Sequence, residues 1–177
     1  MSDDMLAAKS DIDPNLSWRW ATPDDAEQVV AYMRKLGAYQ KMSDAIIATP
    51  ASIRGLLEKG QGEAIFCLYD GAPIGFAYFC EKSSAFTGRS GIFIDGFLID
   101  EQMRHKHAGR FVMSALCQIA LGRGCQLLEW GCLDWNAPAI TFYQGLGAYC
   151  LDDMRIYRLT PDQMHTVAEM APYRGSN

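Results

Sequence analysis

Apolar positions along this chain switch between two periods, and the switches mark out its elements. Residues 1–16 are polar and without period, and are expected to form a loose tail. Ser17–Ala21 alternates and predicts a first strand. Thr22, Pro23, Asp24 and Asp25 then read as a helix start, with Thr as cap, Pro in the first turn and acids at the positive end of the dipole. Ala26, Val29, Val30, Met33 and Leu36 follow at helical spacing and give one face to pack on a sheet. A second helix is predicted over 50–59, stopped by Gly60.

Glu63–Tyr69 and Pro73–Cys80 are apolar runs split by Asp70-Gly71, a tight-hairpin dipeptide. Further strands are expected at Gly91–Ile99, Leu127–Leu133 (buried) and Met154–Leu159. Helices are expected at Ala108–Arg123, from Ala137 onward, and at Pro161–Glu169, with an unstructured end at 171–177. Asn136 is placed to cap the helix at Ala137 and Gly147 to stop it. The strand–helix–strand unit from Gly91 to Cys132 calls for a parallel pair, because a crossover returns the chain in the same direction. The order is α/β in the mixed, α+β sense, as a single domain over 17–170.

Composition narrows the classes. With 177 residues, 49% hydrophobic and 21% charged, the chain has the make-up of one soluble globular domain. A net charge of −5 argues against a nucleic-acid or anionic-membrane partner. The six cysteines show no C-x-x-C spacing and mostly sit in apolar runs, which reads as buried free thiols in the cytoplasm. An N-terminus with Asp3 and Asp4 has no signal-peptide pattern, and no apolar run is long enough to span a bilayer.

Two segments carry candidate chemistry. The first is the strand ending at Ile99 and the stretch Asp100–Arg110 that leads into a helix. Backbone N–H groups and the helix dipole converge at such a junction, and Arg104, Lys106 and Arg110 add charge where a pyrophosphate would lie. A solvated basic helix start is the plain alternative. The second is Asp134–Ala148, where Asn136 opens a short apolar helix and Tyr143 is its only ionisable side chain. An unrelated nucleotide-binding protein is disfavoured, since neither G-x-G-x-x-G nor G-x-x-x-x-G-K-[ST] follows a strand.

Trp135-Asn136, Pro138 and Phe142-Tyr143, with Arg104, Ala108 and Gly109 one helix and one strand upstream, resemble the motifs of the GNAT acetyltransferase superfamily. Within it they are most similar to the diamine (spermidine/spermine) acetyltransferase branch. The resemblance implies a GNAT-type fold, a central, mostly antiparallel sheet with a splayed parallel strand pair, flanked by helices. It implies an acetyl-CoA-dependent N-acetyltransferase that uses no metal, acts on a small-molecule amine, and belongs to a family whose members often form homodimers. It assigns cofactor binding to Phe97, Leu98, Ile99, Arg104, His105, Lys106, His107, Ala108, Gly109, Arg110, Asn136 and Tyr143. A backbone N–H near Phe97–Ile99 would polarise the thioester carbonyl, Tyr143 would protonate the leaving thiolate, and Asp95 would draw the proton from the amine. Gly96 marks either a bulge that opens the strands or a packing accommodation.

The sequence departs from that pattern twice. His107 stands where the superfamily carries a glycine that lets phosphate approach the backbone, and His105 where glycine is frequent. Ala38–Asp44 and Gly96 lack the acidic clamp of the diamine branch. The acceptor therefore stays open between a polyamine, an amino-acid-like amine and a peptide amine. The first departure also leaves open a catalytically impaired acyl-CoA-binding regulatory protein on the same fold.

Overall fold

A computed structural model of the chain describes residues 8–9, 13–104 and 106–170. The expected end at 171–177 and the site position His105 lie outside them. The chain divides into Met1–Ile140 and Thr141–Asn177, described in turn.

The first unit is built on one sheet of six strands in sequence order. They are β1 (Ala8–Lys9), β2 (Leu16–Trp20), β3 (Glu63–Tyr69), β4 (Ala72–Ser84), β5 (Arg89–Ile99) and β6 (Leu127–Trp130). Neighbours through β5 are antiparallel, and β5 with β6 is parallel, as the crossover requires. Part of the N-terminal stretch expected to be loose pairs with the sheet, Ala8 opposite Trp18. The helices are α1 (Ala26–Tyr39), α2 (Pro50–Glu58), α3 (Ala108–Gly122) and α4, which begins at Ala137. α1 lies over β4 and β5 with α2 beside it, and α3 covers β2, β5 and β6.

Alternation along the strands divides the core between the faces. Ala64, Phe66, Phe76, Tyr78 and Leu98 pack with Val29, Val30, Tyr32, Leu36 and Ile53 of α1 and α2. The intervening Ile65, Cys67, Ala77 and Phe79 are fully buried outside that cluster. Each buried Phe contributes about 1.5–3 kcal/mol of transfer free energy, so Phe66, Phe76 and Phe79 anchor both layers. Burial also pushes the Cys67 thiol up to about 12, which keeps it inert. The expected burial is seen for Cys67 and Cys125, whereas Cys117, Cys132 and Cys150 are exposed.

One irregularity positions the site. Tyr78 pairs with Gly96 but Phe79 with Ile94, so Asp95 is an extra residue on β5. Paired residues share a face, and the bulge therefore puts Ile94 with Phe79 on one side and Gly96 with Tyr78 on the other. Both readings of Gly96 hold. It adjoins the bulge, and a Cβ there would meet Met33 Sδ and Phe76 Cζ at 3.2 Å.

The ends of α1 are fixed by different means. At its start, Arg19 grips Asp25 through two hydrogen bonds of 2.8 and 2.7 Å, and the Thr22 N–H and hydroxyl donate to the same carboxylate. These bonds, the Arg19 guanidinium above all, hold the Asp25 carboxyl down at about 2. At its far end, the Met42 N–H donates to Gly37 O at 2.7 Å and the Lys41 N–H to Ala38 O at 3.2 Å. That is a Schellman stop, with Lys41 at φ 57 in the left-handed position where glycine is usual. Gly37 admits the loop behind it, since a Cβ there would lie 2.6 Å from Ile46 Cγ1.

In the second unit α4 runs on to Gln144 and ends in the same motif. Ala148 N–H donates to Tyr143 O and Gly147 N–H to Gln144 O, with Gly147 at φ 86. α5 (Pro161–Met170) starts from a box in which the Thr160 N–H donates to Gln163 Oε1 and the Gln163 N–H to Thr160 Oγ1. The strand expected at Met154–Leu159 does not form. Alternation is not sufficient for a strand, which needs a neighbour to complete its ladder, and none pairs with it among the described residues.

Candidate active site

β5 and β6 run side by side only over Gly91–Ile94 and Leu127–Trp130. β6 then stops, short of the expected Leu133 and only half-buried, while β5 continues to Ile99. The β5–β6 ladder ends at Ile94 and Trp130, before the bulge. Phe97, Leu98 and Ile99 follow the bulge at the C-terminal end of β5, paired with Ala77, Phe76 and Gly75 of β4.

The strand ends in a held turn. The Asp100 N–H donates to Ile74 O, and its carboxylate takes the Lys35 ammonium at 2.9 Å and the Tyr32 hydroxyl at 3.5 Å. Burial and the Asp100 charge push the Tyr32 phenol up, which keeps it a donor. A short turn at Glu101–Met103 leads to Arg104, and α3 begins at Ala108. The position before it, His107, has φ 63. Histidine here keeps the left-handed backbone that glycine favours, at about 1–2 kcal/mol of strain. His107 is exposed. Lys106 and Arg110 are exposed, and the start of α3 (Ala108 buried, Gly109 half-buried) is bare of acidic side chains in its first turn. A basic helix start after a glycine-like turn is an arrangement that suits an anion such as a phosphate.

Asn136 is the one buried polar residue among those described, 6% exposed. Its backbone carbonyl takes the Ile140 N–H at the start of α4, as a cap position does. Its side-chain Oδ1 instead accepts the Tyr39 hydroxyl at 3.0 Å. The Tyr39 ring lies 6.3 Å from the Trp135 ring and 4.8 Å from the Arg104 guanidinium carbon. The Lys41 ammonium lies 5.6 Å from the Trp135 ring centroid. The structure thus joins Arg104 and Asn136 through Tyr39, which the helical pattern ending at Leu36 left out. Tyr32, Leu36 and Tyr39 fall at i, i+4 and i+7, so extending the α1 stripe by one turn would have found it.

Asp95 sits exposed on the bulge, and its charge, after burial, helps push the Tyr78 phenol up. Tyr143 lies on α4 against Phe142, ring centroids 5.4 Å apart.

The sheet is mixed, with a bulge in β5 and α3 following its C-terminal end. The acetyltransferase (GNAT) family matches residues 47–148, more than half of the chain, and the chain belongs to that family. Among curated proteins it is 30% identical to an L-ornithine N5-acetyltransferase of Arabidopsis thaliana over 103 residues, 58% of this chain but 45% of that one. It is 27% identical to a thialysine N-epsilon-acetyltransferase of Bos taurus over 148 residues, 76% of this chain and 85% of the relative. Among solved structures, an aminoglycoside acetyltransferase from an uncultured soil metagenomic sample superposes with a TM-score of 0.72 at 15% identity, covering 85% and 99% of the two chains. The fold is therefore the mixed sheet with flanking helices that the motifs implied. No described helix is long and apolar enough to cross a membrane.

Proposed function

We propose that this protein moves the acetyl group of acetyl-CoA to the primary amine of a small, amino-acid-like molecule rather than to a polyamine. The observation that carries the acceptor class is the Lys41 ammonium on the face of Trp135, beside Asn136. In the diamine branch that stretch carries an acidic cluster. The second clamp position, Gly96, is covered here by Met33. A polyamine brings a second ammonium, which Lys41 repels, whereas an amino acid brings a carboxylate, which it attracts. The names of the relatives agree, one acting on ornithine and the other on thialysine.

Acetyl-CoA, when bound, supplies an acetyl thioester. The basic start of α3 suits its phosphates, and the Asn136 amide suits its amide arm. An amine of the lysine type arrives protonated, with a pKa of about 10.4, and must lose that proton before its nitrogen can attack. Asp95 takes the proton, directly or through water. Backbone N–H groups of Phe97–Ile99 polarise the carbonyl oxygen as negative charge grows on it. As the C–N bond forms and the C–S bond breaks, the nitrogen releases its second proton to solvent and Tyr143 protonates the departing thiolate, a role that rests on the family motif. The regulatory alternative rested on His107, and its exposure gives no support to a blocked groove.

Initial rates with acetyl-CoA and a panel of L-ornithine, L-lysine, thialysine, putrescine and spermidine test the reading. The amino acids should exceed the polyamines in kcat/KM by about tenfold, the worth of one screened charge contact. A preference for polyamines would overturn the acceptor class. No turnover of any amine would overturn the enzyme.

A further inference from the structure

We infer that Tyr39 is a positioning residue for the acetyl-CoA side of the reaction, acting through Asn136, and that it ties that side to the loop that receives the acceptor. The inference rests on the reading of the groove just given. The Tyr39 hydroxyl donates to Asn136 Oδ1 at 3.0 Å, while its ring carries the Arg104 guanidinium and leans on Trp135. A buried amide is costly to leave unpaired, and one whose oxygen is taken is fixed in orientation. With Oδ1 engaged, Nδ2 is the end of Asn136 left to donate, and the group it suits is a carbonyl, such as the amide arm of acetyl-CoA offers. The same ring sets the direction of Arg104, which leads into the phosphate-side turn.

Tyr39 is also the last residue of α1. Lys41 follows in the Schellman stop and returns to the other ring of the pair, Trp135. The first residues of the acceptor loop and the two groove residues thus share one aromatic pair. A ligand that orders either side lowers the cost of ordering the other, so acceptor and acetyl-CoA should bind with positive, reciprocal coupling.

The experiment uses the full chain as wild type, Tyr39→Phe, Asn136→Ala and the double variant, with Tyr39→Ala as a fifth protein. Acetyl-CoA Kd is read by calorimetry, and KM and kcat by initial rates. Tyr39→Phe keeps the ring and removes only the hydroxyl. It should weaken acetyl-CoA about fivefold to tenfold, the worth of one hydrogen bond, with kcat at saturation little changed. On the Asn136→Ala background it should weaken binding no further. Tyr39→Ala, which also removes the ring under Arg104, should weaken binding more and abolish the dependence of acetyl-CoA KM on acceptor concentration. A loss of folded protein lowers the active fraction and kcat but not Kd, so the split between KM and kcat separates it from positioning. An unchanged Kd in Tyr39→Phe, or an equal loss with and without Asn136, overturns the inference while the groove reading stands. Failure of the wild type to bind acetyl-CoA overturns both.

Discussion

The loop after β5 and the loop after α1 each hold a bulky residue in left-handed backbone, His107 at φ 63 and Lys41 at φ 57. In the first, the side chain changed but the path of the chain did not. The turn is made as a glycine would make it, the residue is exposed, and no acidic side chain stands in the first turn of α3. In the second, the path again matches a glycine stop, but the side chain has been recruited. Lys41 lies over Trp135, and on the function proposed above it gives the acceptor side a cation. On the proposed function, backbone N–H groups bind at the first loop, so the shape alone has to be kept. At the second, the proposal makes a side chain select the ligand, so the charge it carries matters as well as the shape.

That contrast can be broken at several points. The largest effect belongs to neither loop. Tyr143→Phe should lower kcat about a hundredfold, as loss of a general acid does, while calorimetry finds acetyl-CoA affinity unaltered. An equal loss of affinity would mean that α4 binds rather than reacts. Lys41→Glu comes next and should shift the kcat/KM ratio of ornithine to spermidine about tenfold or more toward spermidine. An unmoved ratio would remove side-chain selection from the loop after α1. His107→Gly should raise stability by about 1 kcal/mol, a rise of some 2–4 °C in thermal midpoint, with acetyl-CoA affinity equal or better. A weaker Kd would show that the imidazole contributes to binding, and the two loops would then be alike.

The smallest effect serves as a control, at the end of α1 away from both loops. The Asp25 carboxyl is held down by Arg19, so its contribution is complete above the ordinary carboxylate range and is lost as pH falls from there through about 2. Solvent at Arg19 screens the pair, and Asp25→Asn should cost less than about 1 kcal/mol at neutral pH. Acid titration of stability should be flatter in the variant between about pH 4 and 2. Equal slopes would show that the pair adds nothing.

The elements whose pattern comes from local chemistry were legible in the sequence. Asp70-Gly71 makes its hairpin with φ 48 and 80, Pro23 and Pro50 open their helices, and Gly147 closes α4. Gly96 pointed to the bulge. What the sequence concealed depends on partners distant along the chain. Alternation at Met154–Leu159 gives no sign of whether an edge is available to pair with. The Asn136 side chain reads as a cap until a tyrosine 97 residues earlier takes its oxygen. The basic residues from Arg104 to Arg110 were visible as a group, but not that Arg104 would lie against an aromatic ring.

Asp95 carries a further meaning beyond its carboxylate. As the extra residue of the bulge, it works like a single inserted letter that changes the reading frame of β5. Ile92 and Ile94 before it face one helical layer, and Gly96 and Leu98 after it face the other, although all four numbers are even. Removing the residue would turn one half of the strand inside out, whereas Asp95→Ala would keep the frame and erase only the acid. The same position can therefore be questioned twice, once for architecture and once for proton transfer, with answers that do not overlap.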